Sequence, residues 1–195
     1  MTTTAVPNTP TVPRDSITTE TAVHAPAGRT LAVLRFLLGF VFLWAFLDKA
    51  FGLGYSTAPA KAWIAGGSPT SGFLGHVEAG PFRGLFASLA GSTTVDVLFM
   101  LGMLAVGVAL FLGIGLRVAA AAGSLILVLM WVAEWPMAAM TFDGKATAST
   151  NPFVDYHLVF AAALIVLAIL AAGRTWGLGR KWESTNLVSR LSWLK

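Results

Sequence analysis

Arg35-Phe-Leu-Leu-Gly-Phe-Val-Phe-Leu-Trp-Ala-Phe-Leu-Asp-Lys49 decides the fold class: an unbroken apolar run has a charge at its start and an Asp-Lys pair at its end. At about 1.5 Å of rise per residue, Arg35 and Asp48 stand roughly 20 Å apart along a helix. That puts one towards each face of a hydrocarbon layer about 30 Å thick. The stretch reads as a first membrane crossing, and the rest of the chain as packing against it.

Composition supports this. Of 195 residues, 56% are apolar and only 11% charged, against the roughly 25% charged residues usual in soluble domains. Such a chain cannot cover itself with polar surface. Its charges gather in the termini and connections, as in membrane proteins. With no cysteine, disulfides, thiolate nucleophiles and Cys-ligated iron–sulfur clusters are excluded. The net charge of +4 is concentrated in basic residues near the C-terminus. There an anionic lipid surface is a simpler partner than nucleic acid, which is not expected.

Outward from the first span (about 30–53), residues 1–28 are rich in Thr and Pro without apolar periodicity, which predicts a disordered tail rather than a signal peptide. Residues 54–94 are broken by Gly and Pro into short apolar pieces holding Trp63, Phe73, Phe82, Leu85 and Phe86. They are expected to form a long loop with one or two interfacial helical turns. Val97–Leu116 carries no charge and is the clearest span. A third, about 118–140, opens on the small-residue face Ala119–Gly123 and makes a tight hairpin with the second. A fourth runs about 152–172, with Asn151 as N-cap and Pro152 at the first helical position. Residues 175–195 form a basic, amphipathic tail. The expected architecture is all-α: a four-helix transmembrane bundle over 29–174 with a long extracytoplasmic loop between helices 1 and 2. Basic residues in the connections favour cytoplasmic termini by eight against four, the orientation of a multi-pass protein of the cell membrane.

In that topology one end of the spans collects Asp48, Lys49, Asp96, Glu134, Asp155 and His157, while Arg35 stands alone near the other. Asp96 and Asp155 fall at the positive ends of their helices, where a structural role suffices. Asp48 and Glu134 fall at negative ends, where a carboxylate needs a partner or a proton. His157 is the only histidine in a span, too few for a bis-histidine haem and weak as a metal site. It reads as a bundle hydrogen-bond partner of Glu134 or Asp48, or as a proton-exchanging or quinone-hydrogen-bonding group. Trp131, Glu134 and Trp135 share one helical face, as do Trp44 and Asp48. The three indoles suggest a flat slot edged by polar groups, suited to a planar head group such as a quinone. Arg35 is expected to snorkel or to cap the bundle.

Four segments carry a resemblance: Phe42-Leu-Trp-Ala-Phe-Leu-Asp-Lys-Ala-Phe-Gly52, Leu112-Gly-Ile-Gly-Leu-Arg117, Trp131-Val-Ala-Glu-Trp-Pro136 and Asn151-Pro-Phe-Val-Asp-Tyr-His157. In this order they resemble the DoxX/DoxD family of small bacterial and archaeal membrane proteins, over about residues 28–182. The segment Ala172-Gly-Arg-Thr-Trp-Gly-Leu-Gly-Arg-Lys-Trp182 also resembles actinobacterial members. The resemblance implies a four-helix membrane protein. Its DoxD branch is the membrane subunit of a thiosulfate:quinone oxidoreductase, and other branches are accessory components of redox assemblies. The expectation is a quinone-associated membrane subunit with a redox partner, or a non-catalytic scaffold that docks one. Asp48, Glu134 and His157 would exchange protons or hydrogen-bond the head group, Trp44, Trp131 and Trp135 would form its slot, and no haem, iron–sulfur cluster or metal is expected.

Overall fold

The computed structural model describes residues 14–194, and every regular element in them is helical. In chain order these are α1 (Arg14–Phe51), α2 (Ser71–Leu74), α3 (Arg83–Leu89), α4 (Thr93–Leu112), α5 (Leu116–Glu134), α6 (Tyr156–Ile169), α7 (Gly179–Glu183) and α8 (Asn186–Arg190). Three stretches are long and apolar enough to cross a membrane: Pro26–Phe51, Thr93–Leu112 and Leu116–Glu134. The chain is therefore a helical membrane protein.

The helices stack in sequence order, with α1 on α4, α4 on α5 and α5 on α6. Glycines set how closely they approach. A Cβ on Gly107 would fall 2.6 Å from the Leu43 side chain of α1, and one on Gly123 would fall 2.7 Å from Leu164 of α6. Gly123, from the small-residue face foreseen in the third span, and Gly107 of α4 thus lie at helix contacts, where the absence of a side chain permits close approach. Leu38, Phe42, Met100, Val106, Leu110, Leu127, Leu164 and Leu167 fill the buried core.

Several boundaries differ from the sequence expectation. The tail expected over 1–28 is helical from Arg14 onward, with Pro26 inside α1, and residues 1–13 lie outside the described residues. The third span ends at Glu134 rather than near Met140, because Pro136 cannot continue a helix and disfavours helical backbone in the residue before it. Trp135 closes α5 in the left-handed region at φ 46°. The fourth helix starts at Tyr156, capped by Asp155, whereas the Asn151 side chain accepts the amide hydrogens of Phe153 and Val154 in a local turn. At 14 residues, α6 is about 21 Å long, shorter than a hydrocarbon layer about 30 Å thick.

One end of the molecule is organised by Arg35. Its side chain is fully buried, and the guanidinium donates to the Leu110 and Phe111 carbonyls at the last turn of α4 and to Trp176 O at 3.0 Å. A longer bond at 3.4 Å reaches Thr175 O. Helix α4 ends in Gly113 at φ 70°, and Gly173 crosses it so closely that a Cβ on Gly173 would overlap the Gly113 carbonyl. The C-terminal segment then folds back as α7 and α8: Leu178 N–H donates to Leu112 O at 2.8 Å and Trp182 Nε1 to Leu194 O at 3.0 Å, and Val188 is buried. Arg174 and Glu183 pair at 2.9 Å across this segment.

Replacing Arg35 with Met keeps an unbranched stem but removes every donor from these carbonyls. Three lost hydrogen bonds from a charged donor, and a fourth longer one, predict a destabilisation of about 4 kcal/mol or more. Unfolding of the variant in mixed detergent micelles should show the loss as an earlier midpoint, and an unchanged midpoint would mean that the guanidinium is dispensable.

Candidate functional site

The opposite end carries Asp48, Asp96, Glu134 and Asp155, which divide into two kinds. Asp48 and Asp96 are both buried and both serve the 52–92 connection. Asp48 accepts the Tyr55 amide at 3.1 Å, the Ser56 amide at 3.0 Å and the Ser56 hydroxyl at 2.6 Å. Lys49 Nζ donates to the same hydroxyl at 3.4 Å. A carboxylate at the negative end of α1 is thereby offset by donors from the turn that follows it. Asp96, in the first turn of α4, accepts the Thr70 amide at 3.0 Å, the Thr70 hydroxyl at 2.6 Å and the Ser68 hydroxyl at 3.0 Å.

Glu134, Asp155 and His157 form the second kind. One side-chain oxygen or nitrogen from each lies within 4.8 Å of the others. The N-cap geometry of α6 creates this arrangement: Asp155 Oδ1 accepts the His157 amide at 3.0 Å and the Leu158 amide at 3.3 Å, and its Oδ2 stands 2.8 Å from His157 Nδ1. Glu134, the last residue of α5, brings its Oε2 to 3.9 Å from the same nitrogen. Tyr156 extends the group, its hydroxyl 3.5 Å from Glu134 Oε1 and its ring 4.0 Å from the imidazole. The imidazole is fully buried while the Glu134 side chain is 39% exposed. The cluster therefore runs from the helical interior to the surface. His157 Nε2 is buried and has no hydrogen-bond partner among the described residues.

Of the residues singled out from sequence, the structure brings Glu134 and His157 together and gives Asp48 a separate task in its own loop. Asp155, read as a helix-end residue, is in addition the nearest partner of the imidazole. The spacing Asp155-Tyr-His157 contains that signal, since an N-cap carboxylate and a side chain two residues on meet over the first turn. The three indoles have different neighbours. Trp44 stacks on Phe40 and meets Tyr55 edge-on at 5.0 Å. Trp131 donates its ring N–H to Phe153 O at 3.1 Å, and Trp135 lies against Gly80 and meets Phe82 at 5.8 Å. Among the described residues no ring contact joins two of them.

The two connections at this end also clasp each other. Phe142 N–H donates to Glu78 O at 2.9 Å, and the Arg83 guanidinium lies 4.8 Å over the Phe142 ring. The carboxylate–imidazole group thus sits beside a folded cap.

The donor set suits proton exchange better than a cation. A metal on Nδ1 would place the ring hydrogen on Nε2, where it would be buried without the acceptor that a ligating histidine normally has. Asp155 Oδ1 is already committed to two amides.

No family model matches this chain, and neither the curated proteins nor the solved structures searched contain a match.

Removing the Asp48 latch should loosen the turn after α1 and leave the imidazole group intact. Asp48→Ala is expected to raise the rate of chymotryptic cleavage after Tyr55 roughly tenfold, because cleavage tracks the population of the opened segment. Mass spectrometry of a limited digest reads this directly, and a rate equal to that of the parent protein would refute the latch.

Proposed function

We propose that this chain is a four-helix integral membrane protein of DoxX/DoxD type, acting as a quinone-associated membrane subunit of a redox assembly, with His157 as the contact for the head group. In this reading α6 completes the transmembrane bundle, with the ends of the short helix reaching the interfaces through Phe153, Val154, Leu170 and the chain beyond. The charge bias of the connections supports cytoplasmic termini and an extracytoplasmic 52–92 loop. The observation that carries the ligand is His157 Nε2, a buried polar atom without a partner inside an apolar bundle. A polar group left unsatisfied at membrane depth is costly, and such groups mark ligand or proton sites. Asp155 and Glu134 on the other side of the ring offer a route for a proton to water. Electron transfer belongs to a partner, since the chain's motifs supply no redox centre of their own.

A second reading is favoured by the loop surface, where Tyr55, Ile64, Leu85 and Phe153 are all exposed. Aromatic and aliphatic groups on a cap held by two buried carboxylates suit a docking platform for a redox enzyme. His157 would then be structural, and its replacement would change stability alone.

Purification in mild detergent followed by solvent extraction separates the two. Quinone is expected to accompany the wild-type protein and to fall about tenfold in His157→Phe, a loss of roughly 1.4 kcal/mol in binding, with helix content retained by circular dichroism. Absence of quinone from the wild-type protein would overturn the proposal in favour of the docking platform.

A further inference from the structure

The hydrogen-bond pattern around His157 fixes which ring nitrogen is the acceptor. Asp155 spends Oδ1 on the amides of His157 and Leu158 and holds Oδ2 at 2.8 Å from Nδ1. A carboxylate has only acceptors to offer, so the hydrogen of the neutral imidazole stands on Nδ1 and the lone pair on Nε2. Glu134 Oε2, 3.9 Å from Nδ1, reinforces the same tautomer. Nε2 is therefore a buried acceptor that meets no donor from the described residues.

Resting on the quinone-class reading above, we infer that His157 Nε2 selects the reduced, dihydroxy form of the ligand over the oxidised, dicarbonyl form. A quinol hydroxyl donates to the Nε2 lone pair. A quinone carbonyl would set one acceptor against another, losing that hydrogen bond and leaving both atoms buried and unpaired. Sites built around a buried polar group reject the analogue that cannot pair with it far more strongly than apolar pockets reject a change of size. Asp155 is a positioning residue here: it touches no ligand atom and acts by holding the tautomer. Tyr156 lies beside the imidazole, its ring 4.0 Å away and the residue 55% exposed.

The test uses the full-length protein in lipid nanodiscs under anaerobic conditions, with decylubiquinol and decylubiquinone as probes and chromatography of the retained fraction as the readout. The wild-type protein is expected to hold the quinol about tenfold more tightly than the quinone, the size of effect that one hydrogen bond supplies. Asp155→Asn keeps a competent N-cap, since Asn caps as well as Asp. Its amide can present N–H to Nδ1 and release the opposite tautomer, so the preference should fall towards unity while helix content and total binding persist. Equal retention of the two forms by the wild-type protein, or an unchanged preference in Asp155→Asn, would overturn the inference. Retention of neither form would instead overturn the quinone reading on which it rests.

Discussion

The structure depends on a cation that has been buried among carbonyls. Helix α4 ends inside the packed helices, where Leu110 O takes the Gly113 amide at 3.2 Å, and Arg35 supplies further donors from the neighbouring helix to the Leu110 and Phe111 carbonyls. The same guanidinium reaches the Trp176 carbonyl, so one side chain fixes α1 against α4 and holds the chain that returns after α6. No carboxylate among the described residues neutralises it. The negative end of α4 and the carbonyls around it take that role, and they suffice because a guanidinium spreads its charge over a planar fork of donors. Glycine at 113 and 173 is part of the same device, since the two backbones cross where a side chain would separate them.

Once one end is closed by backbone carbonyls, the other is organised by Asp48, Asp96 and Asp155, and they solve three different problems. Asp48 offsets an unfavourable helix end by gathering donors from the next turn. Asp96 gathers Ser68 and Thr70 and so pulls the middle of the long connection onto α4. Asp155 caps α6 and orients an imidazole at the same time. The first two consume their hydrogen-bonding capacity within the fold. Only the third passes a constraint on to a side chain that still has an unpaired atom.

The membrane class and three helices long and apolar enough to cross were legible because length, lack of charge and bounding polar residues are properties of contiguous sequence. Helix ends were less so. Pro136 marked the stop of α5, yet Met137-Ala-Ala-Met140 continued the apolar composition beyond it and disguised the boundary. Asn151-Pro152 looked like a helix start because Asn and Pro favour those positions, but the Asn side chain closed a local turn and Asp155 took the cap. The role of Asp48 was hidden because its partners are mostly backbone amides of the following loop, which any sequence offers. The capping suggested for Arg35 fits its geometry, although the carbonyls it meets lie 75 residues or more away along the chain.

The cluster around His157 shows how ordinary capping can create chemical asymmetry in a buried ring. An Asp at the N-cap is among the commonest ways to start a helix, and by itself it says nothing about function. Two residues later a histidine falls where the second carboxylate oxygen can reach it, so the cap and the imidazole become one unit. Because the carboxylate stands on the surface side, the acceptor nitrogen is forced to the buried side, opposite to what a proton-donating histidine in that place would require. The polarity of the buried edge is therefore set by helix-end electrostatics rather than by any group inside the packed helices, and an N-cap that preserves the helix while changing its hydrogen-bond sense would change that polarity alone.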